Sequence, residues 1–170
     1  SSHALEQNRL EGIQFLMSGF TNLSQDHLDY HKNIDEYFSA KQKLFVKEVS
    51  NQYVYIDEKW GKELNSVIKN KSFGIGLSEH CDIVLTSVEK NLYSTVVTFK
   101  VNNTDFSVEL PISGPKVELN YLLAVGMAYF SNKVSMDEIL ENSMLLNNPE
   151  GRFENISYNE NDIYIDYAHT

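Results

Sequence analysis

The sequence predicts an α/β domain: a mostly parallel sheet with flanking helices, plus a small antiparallel sheet. Three observations carry this. Between residues 53 and 77, two runs of branched and aromatic residues flank a helical stretch, the mark of parallel strands joined by a crossover helix. Between 82 and 110, three further runs are separated only by Glu-Lys-Asn and Asn-Asn. Such links are too short for crossovers, so these runs read as an antiparallel meander. Beyond 119 the pattern becomes helical. The 170 residues, 42% apolar, suffice for one core.

The elements follow in order. Phe15 to Phe20 is short and apolar and reads as a buried strand. The polar stretch TNLSQDHLDYH, residues 21–31, leaves it as a loop, and loops at the carboxyl ends of parallel strands are where α/β proteins bind ligands. Asn33 caps a helix running to about Val49, with Asp35 and Glu36 in its first turn. Its apolar stripe is Ile34, Tyr37, Phe38, Leu44 and Phe45, and Lys41 lies on that same stripe. Residues 53–57 form a strand, 58–70 a helix and 72–77 a strand. The meander occupies 82–88, 93–101 and 104–110. Leu119 to Phe130 is an apolar helix, and Ser135 with Glu138 makes the capping box of another. Two last strands, 153–158 and 162–167, flank Asn159-Glu160-Asn161.

Composition excludes some functions. The net charge is -10 and there is no basic run, so a charged nucleic-acid-binding face is not expected. A single cysteine, Cys81, allows no internal disulfide and suits a reducing, cytoplasmic compartment. No apolar run approaches the ~20 residues of a membrane span. No leader is visible, and both ends read as cuts through ordered sequence.

Some residues carry possible chemistry. A lysine on a buried stripe is costly unless its charge is paired or changed. Lys41 therefore either snorkels to water or is an amine with altered chemistry, such as a carbamate offering oxygens to a hard cation. His27 and His31 have a spacing that suits zinc on a helix, although the neighbouring candidates are oxygen donors and a plain loop explains them equally. Arg152, after Gly151, has the fork that binds phosphate, with a surface ion pair as the default. Asp166 ends a strand where a carboxylate could meet a ribose hydroxyl. Asn120 opens a helix, where a cap is the ordinary role.

Taken together, Ser-Ser-His-Ala-Leu-Glu-Gln-Asn-Arg, Phe-Thr-Asn-Leu-Ser-Gln-Asp-His-Leu-Asp-Tyr-His, Tyr-Phe-Ser-Ala-Lys-Gln-Lys-Leu-Phe, Gly-Arg-Phe-Glu and Asp-Tyr-Ala-His-Thr resemble, in order, the central domain of Mur ligases. The likeness spans residues 1–170 and is strongest to the tripeptide-synthetase branch. It implies the second half of that domain, with residues 1–165 in the ATP-binding unit and 166–170 starting the connection to the next. It also implies an ATP-dependent amide ligase of peptidoglycan synthesis, which adds a diamino acid to UDP-N-acetylmuramoyl-L-alanyl-D-glutamate through an acyl phosphate; meso-diaminopimelate, the commoner choice among bacteria, is the expected one. By position, Lys41 matches a carbamylated, magnesium-organising lysine and His27 a magnesium ligand. Ser1, Gln7 and Arg9 match residues holding the UDP-muramoyl dipeptide. Asn120, Arg152, Asp166 and His169 match ATP-binding residues, with Arg152 on the phosphates.

The family's Gly-rich phosphate loop is not in this sequence, and Val117 stands where relatives often carry a further Asn. These residues alone are therefore expected to be inactive, with Lys41 not carbamylated. The alternatives are the same reaction with L-lysine, a folylpolyglutamate or cyanophycin synthetase type of ligase, or an α/β piece that only binds or self-associates through an exposed sheet edge.

Overall fold

The apolar runs become strands because their alternate side chains meet two different cores. A computed structural model describes residues 1–24, 31–46, 48–158 and 161–167. Along the chain run α1 (Ser2–Glu6), β1 (Ser18–Phe20), α2 (Ile34–Gln42), β2 (Gln52–Ile56), α3 (Lys59–Val67), β3 (Lys71–Gly76) and β4 (Ile83–Lys90). There follow β5 (Thr95–Val101), β6 (Thr104–Leu110), α4 (Val117–Phe130), α5 (Met136–Ser143), β7 (Glu154–Tyr158) and β8 (Asn161–Ile165). The first six strands form one sheet in chain order, and β7 pairs with β8 in a separate antiparallel ribbon.

The expected fold class holds, with one rearrangement. The meander is not a separate sheet but the antiparallel half of the main one. β3 and β4 are parallel and overlap only at Ile75↔Ile83 and Gly76↔Val84. β4 thus begins beside the last residues of β3, so the chain makes no return trip along the sheet and needs no crossover helix. The meander's Asn102-Asn103 turn is as expected: both residues have positive φ, 50° and 64°, which matches the twist of the strands they join.

Adjacent residues of β2 feed opposite faces. Val54 and Ile56 join Ile75, Ile83, Phe99 and Leu122 in the core under α4 and α5. Tyr53 and Tyr55 join Phe20, Phe38, Phe45 and Leu64 in the core under α2 and α3. Asn65 of α3 links that helix to the sheet: it accepts from the Tyr53 and Ser72 hydroxyls at 3.1 and 2.7 Å and donates to the Tyr55 hydroxyl at 3.0 Å. On the other face Gly126 lets α4 approach closely, since a Cβ there would lie 2.9 Å from Ile75 Cδ1 and 3.0 Å from Val54 Cγ1.

Several boundaries differ from expectation. The strand expected over 15–20 pairs only at Ser18–Phe20, with a lone bridge from Phe15 to Ser50. Leu16 is 48% exposed, so this run is not buried throughout. The helix capped by Asn33 ends at Gln42, after which Phe45 enters the core through turns rather than a continued helix. The helix expected over 58–70 spans Lys59–Val67. The Asn159-Glu160 part of the last turn lies outside the described residues, whereas Asn161 already belongs to β8. No helix among the described residues is long and apolar enough to cross a membrane.

The Ser135 capping box is present in full, its hydroxyl accepting from Glu138 N–H and Glu138 accepting from Ser135 N–H. Ser135→Ala is expected to cost about 1 kcal/mol. The change should appear as a lower urea midpoint with an unchanged slope. An unmoved midpoint would show that the cap contributes nothing to global stability.

Candidate functional site

The first cleft lies where α1 meets α2. The helix α1 was not foreseen, although Ser1 signals it: the Ser1 Oγ accepts from Ala4 N–H at 3.4 Å and caps the helix. This seats Ser2 inside, with its hydroxyl 2.8 Å from His31 Nε2. His31 is itself buried and stacks on Tyr37, with ring centroids 5.0 Å apart. It is therefore a satisfied core histidine. His27 lies outside the described residues.

One turn along α2 from Tyr37, the Lys41 Nζ sits 4.9 Å from the Tyr37 ring centroid. Lys41 is half-buried and, among the described residues, no carboxylate pairs with it. It lines a cleft of about 100 Å³ together with Ser1, Thr21, Asn22, Leu44 and Phe45. The structure thus joins Ser1 to Lys41. It does not bring Gln7 or Arg9 into this cleft: Gln7 is the exposed C-cap of α1, and Arg9 is exposed just beyond it.

The second cleft, of about 560 Å³, is lined by Asn120, Arg152 and Asp166 among others. Three separate elements supply these side chains, and local chemistry brings them together. Asn120 stands in the first turns of α4. It is not the cap that its position suggested, because Lys116, at φ 55°, holds that place. Asn148 donates to the carbonyls of Phe153 and Ser113 at 2.7 and 3.2 Å, joining the loop before α4 to the loop before β7.

Gly151 has φ 67°, and a Cβ there would lie 2.0 Å from Tyr167 Cε2. Tyr167 N–H also donates to the Gly151 carbonyl at 2.9 Å. That latch sets Arg152 and Asp166 on one wall. Asp166 directly follows β8 and is exposed, as is Arg152. The expected default for Arg152, a surface ion pair, does not hold among the described residues. Behind the cleft, the Tyr121 hydroxyl lies 2.9 Å from Ser143 Oγ, and burial pushes that phenol up. His169 lies outside the described residues.

Around this partly apolar cleft stand a guanidinium with no carboxylate paired to it among the described residues, a side-chain amide and a carboxylate, groups that can donate to phosphate oxygens, bond a ring edge and accept from a hydroxyl. The half-parallel sheet with one cleft on the α1–α2 side and one beside α4 defines an α/β ligand-binding domain. Residues 1–128 match the family described as Mur ligase middle domain, and the chain belongs to that family.

It is 35% identical over 180 residues to the UDP-N-acetylmuramoyl-L-alanyl-D-glutamate–2,6-diaminopimelate ligase of Fusobacterium nucleatum, covering 100% of this chain and 35% of that protein. The chain therefore spans about a third of the length of such a relative. A solved structure described as the same kind of ligase aligns with a TM-score of 0.84 and 26% identity, over 100% of this chain and 36% of that one. MurF ligase from Thermotoga maritima, solved in complex with ADP, aligns with a TM-score of 0.66 at 16% identity, over 91% and 35%, and shares the fold.

Proposed function

We propose that the protein to which this chain belongs is an ATP-dependent ligase that joins meso-diaminopimelate to UDP-N-acetylmuramoyl-L-alanyl-D-glutamate in the cytoplasm, as a step of peptidoglycan synthesis. The observation that carries this is the convergence of Asn120, Arg152 and Asp166 on one cleft, in a chain matched end to end by a relative named for that reaction.

ATP phosphorylates the D-glutamate side-chain carboxylate, and the amine of the diamino acid attacks the acyl phosphate and releases phosphate. Arg152 offers its fork to the phosphate oxygens, where charge builds up as phosphate is transferred. Asn120 reads the adenine edge, Asp166 accepts from the ribose, and His169 approaches the nucleotide. Ser1, Gln7 and Arg9 hold the muramoyl dipeptide.

Magnesium, when bound, neutralises phosphate charge. Lys41, whose amine pairs with no carboxylate among the described residues, would as a carbamate supply hard oxygens beside Thr21 and Asn22, and His27 would add a nitrogen.

The test is phosphate release by the intact protein with ATP, magnesium and the UDP-muramoyl dipeptide, run with meso-diaminopimelate, with L-lysine and with neither. Release that requires meso-diaminopimelate is expected. Release that requires L-lysine would move the proposal to the lysine-adding reaction, and no release from folded protein would reject it.

A further inference from the structure

Where β2 ends and the chain passes from β3 to β4, three side chains converge that the proposed chemistry does not use. Asp57, His80 and Cys81 place a carboxylate oxygen, a ring nitrogen and a sulfur all within 4.8 Å of one another. None of the three lines either cleft.

Their supports are rigid. Asp57 N–H donates to the Ile75 carbonyl at 2.7 Å, and Cys81 N–H to that of Ser78 at 2.9 Å. Asp82 clamps the loop onto β3, its N–H donating to the Gly74 carbonyl at 2.9 Å and its Oδ2 accepting from Gly74 N–H at 2.8 Å. Gly76 keeps the space clear, since a Cβ there would lie 3.0 Å from Asp57 Cβ and 3.4 Å from Cys81 Sγ.

The histidine is oriented as a ligand. Its Nδ1 lies 2.7 Å from Ser78 Oγ, and its Nε2 faces Asp57 Oδ2 at 3.7 Å. The tautomer that donates from Nδ1 to Ser78 leaves the Nε2 lone pair directed at the cluster, the arrangement that outer partners give to metal-binding histidines. The Asp57 side chain is only 5% exposed, whereas that of His80 is 74% exposed. A tetrahedral ion at about 2.0–2.3 Å from each donor would draw these atoms closer together than the 4.8 Å that now bounds them. Lys62, whose Nζ is 3.4 Å from Asp57 Oδ2, is exposed and can yield its place.

We propose that Asp57, His80 and Cys81 form a site for a zinc-class divalent cation, with the fourth position open to water. Sulfur and imidazole donors select that class over magnesium or calcium. Without the ion, burial and the adjacent Asp57 push the Cys81 thiol up to about 11, so the thiol is protonated and inert. Coordination replaces the S–H bond by a sulfur–metal bond and releases the proton to solvent. The bound ion would fasten the end of β2 to the loop between β3 and β4.

The test is Co²⁺ titration of the whole chain, followed by absorbance. The sequence holds one cysteine, so any thiolate-to-cobalt charge-transfer band reports Cys81 alone. A band that saturates at one ion per chain is expected. Cys81→Ser should abolish it. His80→Ala, a surface change that leaves the fold intact, should weaken binding by about tenfold or more. No band from folded wild-type protein, or a loss smaller than that in His80→Ala, overturns the proposal.

Discussion

Gly61→Ala lowers the stability of this chain by about 3 kcal/mol or more, the upper end of what forced overpacking costs. Alanine in place of glycine in an open helix gains ~1 kcal/mol, so the expected sign is the reverse of the usual one. The reason is local and rigid. A Cβ at Gly61 would lie 1.9 Å from the Ile56 carbonyl oxygen, 3.0 Å from its carbon and 3.1 Å from Tyr55 Cδ2. The first two are backbone and cannot rotate away, so α3 must lift off the sheet. Lifting it exposes Leu64, which is fully buried, and pulls Asn65 from the hydroxyls of Tyr53, Tyr55 and Ser72. Urea unfolding followed by circular dichroism measures this directly. A midpoint equal to or above that of the parent would show that α3 is not seated as described.

The second large effect concerns activity and depends on the ligase proposal. In the intact protein, Lys41→Ala should lower kcat by about 10²–10³-fold, the scale of losing one main electrostatic element of a site. Lys41→Arg separates the two readings of this residue. Arginine keeps a cation over the Tyr37 ring, but it stays protonated and cannot form a carbamate. If Lys41 serves only as a cation resting on Tyr37, the arginine variant should work almost as well as the parent. We expect it to be as impaired as the alanine variant, with thermal stability little changed in both. Near-normal turnover by Lys41→Arg would remove the carbamate from the mechanism.

What could be read from the sequence was chiefly local. The Ser135–Glu138 box and the Asn102-Asn103 turn depend on residues at fixed short offsets, and both formed as expected. Motif order placed Asn120, Arg152 and Asp166 in one functional group, and all three line one cleft. What escaped was decided by distant partners. Nothing near residues 82–110 shows that the meander joins the parallel strands, because two residue pairs between β3 and β4 make that join. The helix after Asn33 keeps its apolar pattern to Phe45, yet it stops at Gln42 because Phe45 reaches the core by another path. The Ser2–His31–Tyr37 stack links α1 to α2 across a stretch where sequence offered only polar residues of uncertain purpose. The grouping of Asp57 with His80 and Cys81 likewise exists only once β2 and β3 pair.

The position of β2 also governs how the molecule comes apart. Its successive side chains are the common wall of both cores, Tyr53 and Tyr55 on one side and Val54 and Ile56 on the other. The helices on the two faces therefore have no independent route to melting: loosening either layer withdraws support from the same five-residue strand. Both clefts hang from these layers, one beside α2 and one beside α4. Any coupling between the two clefts is then expected to run through a single strand that lines neither of them.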